Sequence, residues 1–317
     1  MGGQQPKWDR AGQVPSTVDT VTAWRAPMRR PVVVAVHGME DSWQSWEKLT
    51  GLLGAEHQVY ALDLPWRAGN DYRWRQYGSP AHWLHQGLQA IPEPVDVLLG
   101  HSFGANAVLQ YLAQCGPAGP AARTAVLAAP FYRPSTLVCD WSLYHQSFAG
   151  FRSVMTEGMR TRLGTRAASL EPELLASMAD KLIERIGPMG FLALYDQFVA
   201  TTELNLSQVP IPALVLAGEH DQGLAGDRAE ALAEAMPMAD VQLRPDFGHF
   251  FHVDHAHDAY ERITAFLRVH LAGAGADARP RDTTTRELRH EQTEPTHQLA
   301  DTAEPLTTTP YQNGHTA

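Results

Sequence analysis

Six short apolar runs, spaced by stretches long enough for helices, restrict the fold of this chain more than any other feature. Pro31–His37, Gln58–Leu64, Val95–Leu99, Thr124–Ala129 and Ala213–Ala217 are rich in Val, Leu and Ala, and Asp240–Leu243 is a weaker run. Runs of this length bounded by Gly or Pro read as strands buried on both faces, as in a parallel sheet. Between them Ser42–Leu53, Pro80–Ala90, Phe103–Cys115, Asp227–Ala235 and Asp254–His270 have helical length. The alternation predicts an α/β fold, a mostly parallel, doubly wound sheet with helices on both faces. Val18–Trp24, with Thr at alternate positions, reads as an antiparallel edge strand ahead of it.

One block breaks the alternation. Between Phe131 and Val209 no strand pattern occurs, and Trp141–Leu163, Glu171–Gly187 and Gly190–Leu206 read as helices. In the second, Leu174, Leu175, Met178, Leu182, Ile183 and Ile186 make a stripe of 3.6-residue period. The expected organisation is a loose N-terminus (1–12), a core built from 13–130 and 210–272, and a helical cap (131–209) over the carboxyl edge of the sheet. Residues 273–317 hold ten Thr and no Val, Ile, Phe or Trp. Such a tail buries too little apolar area to offset its ordering entropy and is expected to be disordered.

The formal charge of −10 supplies no electrostatic footprint for nucleic acid. No apolar run reaches the roughly 18–20 residues of a membrane span, and Met1–Arg10 lacks the apolar stretch of a signal peptide. Cys115 and Cys139, outside any CxxC pattern, fit a reduced, cytoplasmic protein. Arg29 and Arg30 read as a solvated approach to the first strand.

Gly100-His101-Ser102-Phe103-Gly104 is a GxSxG pentapeptide. It follows one predicted strand and opens a predicted helix, the setting a nucleophile elbow requires. A serine hydroxyl is a poor nucleophile near neutral pH and needs a base. Asp221 lies just past the run Ala213–Ala217, and His249 lies in the loop after Asp240–Leu243. The order Ser…Asp…His, each at a strand end, assigns Ser102 as nucleophile, His249 as proton carrier and Asp221 as its orienting acid. Glu219 and Asp246 are rival acids less suitably placed. For the oxyanion, the elbow offers the N–H of Phe103, and the turn at His37-Gly38 aims that of Met39.

These features resemble the α/β-hydrolase superfamily over Pro31–His270. The resemblance rests on His37-Gly38, Asp63-Leu64-Pro65, Gly100–Gly104, Gly218–Asp221 and Gly248-His249. It implies the roles just given to Ser102, Asp221, His249, Met39 and Phe103, with no cofactor and no metal. Ser102 stands where dehalogenases and epoxide hydrolases of this fold carry Asp. Trp66-Arg67-Ala68-Gly69-Asn70 replaces the Gly-His-Gly that often follows Pro65 in the family, which predicts an unusual pocket rim.

Trp43, Trp46, Trp66, Trp74 and Trp83 fall within 41 residues. Trp46 and Trp83 read as core, whereas Trp66 and Trp74 are expected as pocket walls. His37, Gly38, Trp66, Arg67, Trp74 and Phe250 are together expected to border the substrate, although Arg67 reads more readily as half of a surface ion pair. His249, His252, His255 and His257 have no four-ligand metal spacing and read as one catalytic and three surface histidines.

The expectation is a carboxylesterase- or thioesterase-like serine hydrolase. Its substrate is a small-molecule or carrier-bound acyl compound with a medium or large hydrophobic group, cleaved through an acyl-enzyme. Neither nucleic acid nor membrane is an expected partner. The Ala/Arg/Gly/Pro-rich style of the chain points toward biosynthesis in a specialised-metabolism host. Two alternatives share the fold: a cofactor-free lyase, cyclase or acyltransferase using the same pocket, and a non-catalytic binding module.

Overall fold

The computed structural model describes residues 29–115, 120, 122–224 and 226–272. The expected loose N-terminus, the edge strand Val18–Trp24 and the tail 273–317 lie outside the described residues.

Among the described residues six strands form one sheet: β1 (Val32–Val36), β2 (Gln58–Leu62), β3 (Val97–His101), β4 (Thr124–Ala128), β5 (Ala213–Gly218) and β6 (Ala239–Arg244). Their order is β2-β1-β3-β4-β5-β6, and every pairing is parallel. Composition explains the order. β1, β3, β4 and β5 are continuously apolar or nearly so and buried at every position. β6 alternates Asp240, Gln242 and Arg244 with Val241 and Leu243, and like β2 it is only partly buried at an edge. Each fully buried Val or Leu contributes about 1.5–3 kcal/mol relative to exposure, so the central strands dominate the core.

Helices α1 (Glu47–Leu53), α2 (Pro80–Gln89), α3 (Phe103–Gln114), α4 (Trp141–Leu163), α5 (Pro172–Ala200) and α6 (Asp227–Ala235) follow the predicted stretches. A short α7 (Phe251–Asp254), not among those predicted, precedes α8 (Ala256–Leu271), which matches the last one. One apolar cluster joins β1, β3 and α3 to α2 and the insertion, and another packs β1, β3, β4 and β5 against α1 and α8. The sheet is therefore covered on both faces. Helices α4 and α5 occupy the predicted insertion between β4 and β5. The two segments read as separate helices meet inside α5 at Gly187, which has φ 65°, immediately before Pro188. Among the described residues no helix is long and apolar enough to cross a membrane.

At the amino edge of the sheet Asp96 is 2% exposed. It receives two hydrogen bonds from Arg29, at 2.7 and 2.9 Å, and one from the Val32 N–H at 2.8 Å. Arg30 donates to the carbonyls of Gly54 and His57. The basic pair, exposed as expected on the approach to β1, also staples the base of the sheet.

At the opposite edge the connection from β1 leads to β2 on one side, and the chain then returns to β3 on the other. Strand order reverses there, and open α/β sheets place their ligand crevices beyond the carboxyl ends of strands at such a point. The loop His37-Gly38-Met39 leaves β1 and the pentapeptide turn leaves β3 at this crevice.

Candidate active site

Ser102 sits between β3 and α3 with φ 51° and ψ −120°, a conformation L side chains rarely adopt. Its N–H is held by the Ala128 carbonyl at 2.8 Å, and its carbonyl receives Asn106 N–H at 3.0 Å. Glycine is required at 104, because a Cβ there would lie 2.4 Å from the His37 carbonyl oxygen. The same crowding brings the β1 loop over the turn: a Cβ on Gly38 would approach Ser102 Cβ to 3.5 Å.

The three side chains expected to act together are joined by hydrogen bonds. His249 Nδ1 lies 2.6 Å from Asp221 Oδ2, and His249 Nε2 lies 2.9 Å from Ser102 Oγ. Asp221 is 6% exposed, and its other oxygen accepts the Gly223 N–H at 2.8 Å. A carboxylate at Nδ1 fixes the proton there, so Nε2 presents its lone pair to the serine hydroxyl. Burial disfavours the imidazolium, but the Asp221 charge and hydrogen bond, with help from Glu157, leave His249 titrating above the ordinary 6.5. The rivals Glu219 and Asp246 are exposed, and Asp246 lies 3.7 Å from Arg244.

Two braces on His249 were not anticipated. Its N–H donates to Glu157 Oε1 of α4 at 2.9 Å, and its carbonyl accepts from His101 Nε2 at 2.9 Å. The variable position of the pentapeptide thus positions the loop that carries His249.

A cavity of about 360 Å³ opens above Ser102 and His249. Its apolar wall is Phe131 with Phe151 and Val154 from α4 and Leu194 and Phe198 from α5. Gln146, Gln222 and Arg228 supply the polar part of the lining. Sequence reasoning missed these residues. The i, i+4 pair Leu194 and Phe198 was the available signal, since an apolar stripe on an inserted helix must face either the core or a ligand.

None of the residues expected to border the substrate is among those lining this cavity. Trp66 and Trp74 are 1% and 6% exposed, and their rings pack on each other and on Phe103 at centroid distances of 5.3–6.2 Å. They are core because the loop after β2 folds back under the loop after β1: Glu40 N–H donates to the Trp66 carbonyl, and Ala68 N–H to that of Asp41. Trp66 Nε1 also donates to the His37 carbonyl at 2.9 Å. His37 is fully buried, and its Nδ1 reaches the Gly38 carbonyl while Nε2 accepts from Leu64 N–H. Burial lowers its pKa, and it serves as a neutral tie between the two loops. Arg67 is an exposed partner of Asp63 at 2.9 Å. Phe250 fills the space between His249, His101 and Gly158.

His255 and His257 are exposed as expected, but His252 is fully buried. Its ring lies 4.0 Å from that of His101 and 4.8 Å from that of Trp46. Its titration is pushed down to about 3, by burial first and by His249 second. Asp41, His101 and His252 bring one candidate ligand atom each within 4.8 Å of one another, a carboxylate and two imidazoles. Asp41 Oδ2, His101 Nδ1 and both His252 nitrogens make no hydrogen bond among the described residues.

No curated protein sequence matches the chain. Solved structures do. A bromoperoxidase from Bacillus anthracis is 22% identical with a TM-score of 0.57, over 76% of this chain and 92% of that one. A hydrolase from Oleispira antarctica is 16% identical with a TM-score of 0.54, over 75% and 91%. An esterase from Exiguobacterium antarcticum is 18% identical with a TM-score of 0.52, over 75% and 92%. At these identities the likeness is one of fold. The family model described as the alpha/beta hydrolase family matches residues 33–263. With its parallel sheet and strand–turn–helix serine, the chain belongs to the alpha/beta hydrolase family.

Proposed function

We propose that this protein is a serine hydrolase that cleaves an ester or thioester of a medium-to-large hydrophobic acyl group through an acyl-enzyme. The observation that carries this reading is the continuous chain Asp221–His249–Ser102, with links of 2.6 and 2.9 Å, on the floor of a mostly apolar cavity.

Ser102 Oγ attacks the acyl carbonyl carbon while His249 Nε2 takes its proton. The resulting oxyanion is stabilised by the N–H groups of Met39 and Phe103; losing one such donor typically costs about 2.7–4 kcal/mol of transition-state stabilisation. Collapse expels the alcohol or thiol, which receives its proton from His249. Water then attacks the acyl-enzyme with His249 again as base, releasing the acid and restoring Ser102. In this reading α4 and α5 act as the cap, and the apolar wall they supply takes the acyl chain. The substrate is a small-molecule or carrier-bound acyl compound. Cys115 and Cys139, both free thiols, support work in a reducing cytoplasm.

Turnover of a panel of aryl esters and acyl thioesters in oxygen-18 water tests the reaction class. One labelled oxygen per acid released is the expected result, absent with Ser102→Ala. Product formed without label would replace hydrolysis by a lyase, cyclase or acyl-transfer reaction in the same pocket.

A further inference from the structure

Glu40 follows the oxyanion donor Met39 and breaks two rules at once. It is 1% exposed, and it holds φ 55°, a left-handed conformation that favours glycine. A buried carboxylate survives only when paired and hydrogen-bonded, and Glu40 is both. Tyr72 donates its hydroxyl to Oε1 at 2.7 Å, and Arg185 of α5 donates to Oε2. The backbone is held as firmly. Arg162 at the end of α4 donates to the Glu40 carbonyl at 2.7 Å, and Glu40 N–H donates to Trp66. One residue thus ties both insertion helices to the loop carrying the Met39 N–H. Arg185 lies two residues before the break at Gly187, so the contact comes from the end of the first half of α5.

We propose that Glu40 is a positioning residue: seated by Arg185 and Arg162, it holds the left-handed turn that aims the Met39 N–H at the oxyanion. Seating of the insertion and completion of the oxyanion hole are then one event. The inference rests on the serine-hydrolase reading above.

The test is steady-state hydrolysis of p-nitrophenyl esters by the full-length protein, well below each thermal midpoint. The variants are Glu40→Gln, Glu40→Gly, Arg185→Met, Arg185→Lys and the double variant Glu40→Gln with Arg185→Met. Removing an oxyanion donor outright lowers kcat about 100- to 1,000-fold, so a displaced donor is expected to cost about 10- to 100-fold. Glu40→Gln and Arg185→Met should each show that loss in kcat with KM within about twofold, and the double variant should lose little more than the worse single. Arg185→Lys should recover part of the loss. Glu40→Gly, which accepts the left-handed turn without strain, should be as slow as Glu40→Gln. Because Arg185 is 44% exposed along its side chain, its replacement leaves the core in place even if Glu40 variants fold poorly. Parental kcat in Arg185→Met, or losses confined to KM, would overturn the inference alone. Absence of Ser102-dependent turnover in the parent would overturn the functional reading and the inference with it.

Discussion

Asp221→Asn is expected to lower kcat about 10,000-fold while leaving the fold intact. The carboxylate accepts the Nδ1–H of His249 at 2.6 Å and is almost fully buried. An amide of the same shape can turn its NH2 toward Nδ1, and the ring proton then moves to Nε2, where it faces Ser102 Oγ without a lone pair to offer. Asp221 Oδ1 also accepts Gly223 N–H, and the amide oxygen left at that position keeps this bond, so the thermal midpoint is expected to change little. A pH profile separates the catalytic effect from the structural one. His249 titrates above 6.5 in the parent because Asp221 outweighs burial. The acidic limb of kcat/KM should therefore lie above pH 6.5 and move downward in Asp221→Asn. A loss below tenfold, with the limb unmoved, would remove Asp221 from the proposed role.

The second large effect is on acid stability. His252 titrates near 3 in the folded chain against 6.5 as a free side chain. Its folded pKa is depressed, so the folded state keeps it neutral while the unfolded state binds a proton. The stability it contributes is complete above about pH 6.5 and is lost as pH falls toward 3, at about 1.4 kcal/mol per pH unit. Over the whole window that approaches about 5 kcal/mol, a large share of the 5–15 kcal/mol that holds a typical domain together. His101, lowered chiefly by burial and then by His252 and His249, acts in the same sense. His249 and Asp41, both raised, act in the opposite sense. The variant His252→Leu isolates the contribution. Urea unfolding between pH 7 and pH 4 should show a stability slope shallower by up to about 1.4 kcal/mol per pH unit than in the parent. An unchanged slope would mean that His252 is not held neutral in the fold.

The strands and the serine turn were legible because their causes are local. Val32–Val36 and Ala213–Gly218 are apolar at every position since both faces of a central parallel strand are buried. Gly104 was readable because only a missing Cβ lets α3 pass the end of β1. Three other features depend on packing between distant segments. Trp66 and Trp74 read as pocket walls, yet the loop after β2 tucks beneath the loop after β1 and carries them into the core. His252 read as a surface residue because four histidines within nine positions suggest a polar stretch, and only the fold turns one ring onto His101 and Trp46. Glu40 gave no signal, since nothing local marks an acid for a left-handed turn matched by arginines from α4 and α5, more than 120 residues away.

Intact-protein mass after exposure to a fluorophosphonate, on the parent and on Ser102→Ala, bears most directly on the central claim. An activated serine is expected to give a single adduct on the parent and none on the variant. No adduct on the folded parent, or an equal adduct on both, would contradict the assignment of Ser102 as the nucleophile.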